Sequence, residues 1–374
     1  MKKSLFITLG LAAVLGLGVG ASLKAGQVKE AKADKPSTIY LDLGTCDWGT
    51  KSQVIRAHFF TGETAYTDWN DTEVGVMTED TNFKGLFSIS TSSYSSAESI
   101  IFHVSNWSGN AQTVNLTIPT DGKNLFTINT SYSGDNGTSQ NGVWSTYSES
   151  TSYVLDLYGD LLNTNHNAHM FKTGVGTEWA GKAMTKVGGS TNLYSVTYYS
   201  ALTTVVFNQI GSGTGQTINL SLSGNNGKCL ILTGSVDGEW KWNSNTWVAL
   251  EAATFIDSFM KFDKTTGIST SDETKGTACK SNWTNLYNAY TALSDGVHSD
   301  IIATPEVKSR LAAWADANNA SFDPSTGSLA SAKIMPIEIN SVSGTTALVI
   351  TILSFSVLLA VGGFFFLRKR KEER

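Results

Sequence analysis

A chain that carries the same string of landmarks twice must build the same unit twice, and this one does. Leu41-Asp42-Leu43 recurs as Leu155-Asp156-Leu157, Ala57-His58-Phe59-Phe60 as Ala168-His169-Met170-Phe171, and Trp69 as Trp179. Met77-Thr78 then matches Met184-Thr185, Phe87-Ser88 matches Tyr194-Ser195, Phe102 matches Phe207, and Trp144 matches Trp247. Gln112-Thr113-Val114-Asn115-Leu116 matches Gln216-Thr217-Ile218-Asn219-Leu220. The offsets fall without reversal from 114 to 103 along the chain. Duplication followed by small loop deletions produces a collinear drift of this kind, whereas chance matches scatter.

Each copy reads as strands. In the first, Thr38 to Leu43, Val54 to Phe60, Leu86 to Ser90, Ser99 to Val104, Gln112 to Ile118 and Leu125 to Asn129 are apolar or alternating runs separated by Gly, Asn, Asp and Ser. In the second they are Ser152 to Leu157, Ala168 to Phe171, Leu193 to Tyr198, Thr203 to Asn208, Gln216 to Leu222 and Lys228 to Leu232. Short β-branched and aromatic runs with regular turn signals predict an all-β class of two tandem β-sandwich modules, over 34–148 and 149–250. The pattern changes after Leu250. Phe255, Ile256, Phe259 and Met260 fall at helical spacing, as do Trp283, Leu286, Tyr287 and Tyr290. Thr304-Pro305-Glu306 before Val307, Leu311 and Trp314 reads as an N-cap with Pro at N1. The expectation is a small α-helical, membrane-proximal region over 251–320, followed by an irregular linker over 321–346.

Both ends read as membrane signals. Lys2 and Lys3 precede an apolar run from Leu5 to Val19, the pattern of a secretory signal peptide over 1–33, with Ala31-Lys32-Ala33 as one cleavage site and Val19-Gly20-Ala21 as an earlier one. Residues 347–367 carry no charge and are long enough for a single transmembrane helix; Arg368-Lys369-Arg370-Lys371 opens a basic cytoplasmic tail over 368–374. This topology predicts a single-pass cell-membrane protein whose repeats face outward. The net charge of −5 includes both basic ends, so the segment between them is more acidic still. That excludes nucleic acid as a partner, since phosphate binding needs clustered Lys and Arg. Three cysteines, Cys46, Cys229 and Cys279, leave at least one unpaired and make no zinc-ribbon spacing.

Residues two apart on a strand share a face, so His58 and Phe60 point one way, as do His169 and Phe171. The repeated Trp follows in a polar loop. A loop indole beside a strand-borne imidazole and phenyl forms an apolar platform with a hydrogen-bonding edge. Such a surface suits a sugar ring, with its C–H faces and its rim of hydroxyls that need partners when desolvated. The alternative for Phe60 and Phe171 is core packing, and for the repeated Gln-Thr a structural pairing.

The motifs resemble the starch-binding carbohydrate-binding modules of families twenty-five and twenty-six. The resemblance rests on Trp179 to Val187, Asn192-Leu193-Tyr194-Ser195, Val205-Val206-Phe207-Asn208 and Gly215-Gln216-Thr217, with their counterparts in the first copy. It implies β-sandwiches that bind α-glucans, with His58, Phe60, Trp69 and Gln112 as contacts in the first module and His169, Phe171, Trp179 and Gln216 in the second. It adds Trp107 to the first; Ile210 to Thr214 fill the matching loop of the second without an aromatic.

His166 and His169 supply too few ligands for a closed zinc site, and Asp68, Asp71 and Glu73 do not match a calcium loop, so no metal or cofactor is expected. No catalytic motif stands in the chain, and 251–346 is too short for an amylase barrel. The sequence reading is therefore non-catalytic retention of starch or maltooligosaccharide at the cell surface for separate surface amylases. The rival is a surface adhesin or spacer that recognises host glycoprotein or protein.

Overall fold

The computed structural model describes residues 34–46, 48, 54–69, 73–104, 111–129, 141–162, 166–209, 215–235, 241–266 and 283–330. The segments expected as signal peptide (1–33), transmembrane helix (347–367) and basic tail (368–374), together with Trp107 and Cys279, lie outside the described residues. Among the described residues no helix is long and apolar enough to cross a membrane. The chain divides into two compact units. One takes the chain up to Ser150 with His169–Lys182 and Tyr198–Thr204; the other takes Thr151–Ala168, Ala183–Thr197 and the chain from Val205 onward.

The first repeat contributes β1 (Thr38–Asp42), β2 (Ile55–Thr61), β3 (Thr64–Ala65), β4 (Thr78–Glu79), β5 (Leu86–Ser90), β6 (Ser99–Val104), β7 (Leu116–Thr117), β8 (Leu125–Ile128) and β9 (Gly142–Ser145). They form one sheet in the order β4-β5-β1-β8-β9 and a second in the order β3-β2-β6-β7. Ile39, Leu41, Phe87 and Phe126 from the first sheet share one buried cluster with Ala57, Phe59, Ile100 and Phe102 from the second. That is the sandwich arrangement, and it explains the alternation in the strands: the buried set points between the sheets. Trp144, on edge strand β9, closes over Phe126 and Phe102 at 5.3 and 6.4 Å between ring centres.

The second repeat contributes β10 (Glu149–Asp156), β11 (His166–Lys172), β12 (Val175–Gly176), β13 (Lys182–Ala183), β14 (Thr185–Lys186), β15 (Leu193–Tyr199), β16 (Thr204–Gln209), β17 (Leu220–Ser221), β18 (Lys228–Ser235) and β19 (Trp242–Ala249). The sheet orders repeat as β14-β15-β10-β18-β19 and β12-β11-β16-β17, with β13 on β11. Trp247 of β19 faces Phe207 at 6.3 Å, as Trp144 faces Phe102.

One landmark of the repeat is out of register. Leu41 pairs with Phe126, which pairs with Trp144, whereas Val154 pairs with Leu230, which pairs with Trp247. The structural counterpart of Leu41 is therefore Val154, and that of Asp42 is Leu155, not Asp156. A shift of one residue turns every side chain to the opposite face, so the two Leu-Asp-Leu strings are not equivalent. Asp156 instead accepts the backbone N–H groups of Gly159, Leu161 and Leu162 at 2.8–2.9 Å and folds its own loop.

Asp42 works differently. Its side chain is fully buried, and its carboxylate accepts hydrogen bonds from the Gly44 N–H at 2.8 Å, the Tyr199 hydroxyl at 2.7 Å and the Lys172 ammonium. Around it Tyr40, Tyr147 and Tyr199 stack with interplanar angles of 9°. Lys84 and Gly176 exchange both backbone hydrogen bonds, at 2.8 and 3.1 Å. The close approach depends on Gly174, at φ +77°, where a Cβ would come within 1.4 Å of the Gly44 carbonyl oxygen.

In the other unit, α1 (Leu250–Thr266), α2 over 283–291, α3 (Asp295–Ile302) and α4 (Pro305–Ala317) follow the β elements. Ile256, Phe259, Tyr290, Ile301, Leu311 and Trp314 join Leu155, Leu157, Cys229 and Ile231 in one buried cluster. Three helical carboxylates tie the element ends: Asp257 accepts the N–H groups of Thr191 and Asn192, and Asp300 that of Ala249, all at 2.7 Å. Asp263 receives Trp314 Nε1 at 2.9 Å and the Arg310 guanidinium. Thr304 and Pro305 open α4 as the sequence suggests, but the Thr304 side chain makes no cap bond. Residues 321–330, read in the sequence as linker, instead pair as β20 (Ser321–Phe322) and β21 (Leu329–Ala330), and Leu329 and Phe322 pack on the helical cluster. The signal was there: Asp323 binds Ser325 and Thr326 and makes a tight polar turn between the two apolar positions.

Removing Asp42 leaves a nearly buried ammonium and a buried phenol without their acceptor. Asp42→Ala should lower the unfolding free energy by about 3–5 kcal/mol, read from urea denaturation, whereas Asp121→Ala, which deletes an exposed pair with Lys123, should leave the midpoint unchanged.

Candidate functional site

Strand β2 sends Ala57 and Phe59 into the core and leaves His58 and Phe60 half-buried on the outer face. The two rings lie 5.7 Å apart at 24°. A two-residue turn at Gly62 and Glu63 brings the chain back through β3, and the Tyr66 N–H bonds the Phe59 carbonyl at 2.8 Å. Thr67 then plugs into the strand: its hydroxyl oxygen accepts the Phe59 N–H at 2.9 Å and stands 3.2 Å from His58 Nδ1. With Thr67 pinned, Trp69 sits edge-on to His58, 5.1 Å away at 64°. Behind it His103 of β6 lies flat on the indole, 4.1 Å away at 9°. Gln112, half-buried, bridges to His103 through the backbone.

The second copy rebuilds the core of this arrangement. Ala168 and Met170 are buried, while His169 and Phe171 are half-buried outside them, 5.0 Å apart at 33°. Thr177 accepts the Met170 N–H at 3.0 Å and stands 2.9 Å from His169 Nδ1. Trp179 meets His169 edge-on at 5.2 Å and 68°, within 0.1 Å and 4° of the first copy, and is 63% exposed. Gln216 belongs to the other compact unit, where its backbone bridges Asn208 and accepts the Trp242 N–H at 2.7 Å.

The structure therefore brings His58, Phe60 and Trp69 together, with Gln112 linked to them only by its backbone bridge to His103, and likewise His169, Phe171 and Trp179. The core alternative for the two phenylalanines does not hold: Phe59 and Met170 fill that role. The repeated Gln-Thr is structural through its threonines, since Thr113 and Thr217 each accept a strand N–H, of Phe102 and Phe207, at 3.0 Å. His166 and His169 stand three apart on β11, on opposite faces, and do not converge; His166 lies against Tyr194 at 3.9 Å. Sequence reasoning passed over Thr67, Thr177 and His103. Thr67-Asp68-Trp69 recurs as Thr177-Glu178-Trp179, which was a usable signal. His103 gave none, because it stands next to last in a strand that is otherwise apolar from Ile100 to Val104.

Burial lowers the pKa of both platform histidines below the ordinary imidazole value, against backbone hydrogen bonding to Thr67 and then the Asp68 charge for His58, and backbone hydrogen bonding to Glu178 for His169. Burial, then the neighbouring His58 and Arg56, pushes His103 down to about 4. At neutral pH all three rings are uncharged. Neutral imidazoles among flat rings offer C–H contact faces and single hydrogen-bonding nitrogens, and suit a neutral, hydroxyl-rimmed ligand better than an anion. Among the described residues no group of three His, Cys, Asp or Glu side chains could hold a metal ion.

Two expectations follow. A titration of the imidazole carbon-bound protons should place the midpoints of His58 and His169 below that of a free imidazole and that of His103 near 4, so that the platform rings stay uncharged to lower pH than a free imidazole does. Thr177→Val keeps the shape but orphans the Met170 N–H; it should cost about 1–3 kcal/mol in urea denaturation and shift the His169 midpoint.

No family model matches the sequence, and no curated protein matches it. One solved structure aligns, titled the crystal structure of CBMbc (family CBM26) from Eubacterium rectale Amy13K in complex with maltoheptaose. The alignment has 17% identity and covers 56% of this chain and 94% of that one, with a TM-score of 0.20, too low to carry any weight for fold or ligand.

Proposed function

We propose that this protein is a non-catalytic binder of α-glucan, starch or maltooligosaccharide, held at the cell surface by its C-terminal apolar segment. The observation that carries the reading is the duplicated ring set: an imidazole flanked by a phenyl and an edge-on indole, built twice with nearly the same distances on an outward strand face. Core packing gives no reason to preserve that set, because the buried positions beside it have changed from Phe59 to Met170. A glucose ring brings apolar C–H faces to the indole and phenyl, and hydroxyls to the imidazole nitrogens. Its desolvation is affordable only where both are met. The motif resemblance to starch-binding modules supports the same ligand class.

Two platforms on one chain favour a polymer. Once one is occupied, the second contact is intramolecular, and tethered sites of this kind gain roughly 10²–10⁴ in avidity when one ligand reaches both. Retained polysaccharide would then be available to separate surface amylases. Outward orientation and a single membrane pass rest on the apolar and basic segments at the two ends of the sequence.

Electrophoresis of the protein through gels containing amylopectin should show retarded migration, reduced by Trp69→Ala or Trp179→Ala alone and abolished by the pair. Unretarded wild type would overturn the glucan reading and favour recognition of protein or glycoprotein, which a glycan array and matrix-binding assay would then identify.

A further inference from the structure

We infer that His103 is a positioning residue for Trp69, holding the indole as a pre-ordered surface, and that the two repeats therefore present non-equivalent sugar platforms. This rests on the glucan reading above. The His103 ring is 3% exposed and lies parallel to the indole at 4.1 Å, so one face of Trp69 is already covered and the sugar must use the other face or the edge. Offset stacking of a neutral imidazole on an indole is favourable in itself. Here it also fixes the two torsions of the Trp side chain. Ordering a free side chain is part of the cost of binding, and a ring ordered beforehand avoids it.

The strand supports this assignment. His103 pairs in register with Arg56, whose guanidinium bonds the Val74 carbonyl at 3.2 Å, and both are buried. Burial above all, then the neighbouring His58 imidazole and the Arg56 cation opposite, oppose protonation, so the stacked ring stays neutral. In the second repeat the strand positions of this pair hold Asn167 and Asn208, fixed by Ala57 matching Ala168 and by the corresponding antiparallel bridges of His103 to Gln112 and Asn208 to Gln216. The aromatic backing and its cation have been exchanged together. Trp179 is 63% exposed, and among the described residues its ring contact is the edge of His169. The two platforms share the His-Phe-Trp set and differ in how firmly the Trp is held.

Two measurements on the full-length protein test this. The chain has five histidines, few enough for imidazole resonances to be followed individually by NMR. Trp69→Ala should remove a ring-current shift from His103 and leave His169 unmoved; a His103 resonance unchanged by Trp69→Ala overturns the stack. Calorimetry with maltoheptaose in a Trp179→Ala background then isolates the first platform. Adding His103→Asn should weaken binding about two- to tenfold, and His103→Phe, which keeps a flat ring, should restore it. Unchanged affinity in His103→Asn, or equal losses for Asn and Phe with unaltered unfolding midpoints, would overturn the positioning role alone. Wild-type protein that binds no maltoheptaose would overturn the glucan reading and this one with it.

Discussion

A carboxylate with no access to water must be met by donors that replace its hydration, and Asp42 is such a group. An ammonium from Lys172, a phenol from Tyr199 and a backbone N–H from Gly44 surround it. The consequences spread outward. Lys172 follows Phe171 directly, so the strand that carries the second ring set ends on this carboxylate. The turn beyond it reaches the Lys84 backbone only because Gly174 has no Cβ. Burial and the nearby Asp42 charge push the Tyr199 phenol well above its usual ionisation range, keeping it a donor at any ordinary pH.

How much of this the sequence disclosed depends on range and periodicity. His58, Phe60 and Trp69 were legible because period-two alternation and duplication are local signals, each confirmed by its copy. Helices α1, α2 and α4 were legible from apolar spacing; α3, with only Val297, His298 and Ile301 inward, is too short to declare a period. The partner of Asp42 stands 130 residues away, and no local pattern announces a pairing at that distance. His103 was hidden for the opposite reason: β6 is buried on both faces, so alternation, the signal that separates ligand-facing from core residues, is absent there. The Leu-Asp-Leu match was misleading because identity was kept while register moved by one, which only the strand pairing reveals.

The two ring sets illustrate how ring orientation is set by hydroxyls beneath the rings. Thr67 and Thr177 each join a strand N–H to an imidazole nitrogen, so the backbone and the His ring are positioned by one hydroxyl. The Trp two residues on is placed by the same anchor. Such second-layer hydrogen bonds fix functional side chains more firmly than rotamer preference does.

The one-residue shift between the copies decides what can cover each first strand. On β1 the outward positions are Tyr40 and Asp42, a polar surface that requires a donor-bearing neighbour. On β10 the same positions are Tyr153 and Leu155, which with Cys229 and Ile231 form an apolar surface taken up by the helices. The helical region thus covers, with apolar side chains, the strand face of the second copy that in the first copy holds a buried carboxylate and its donors.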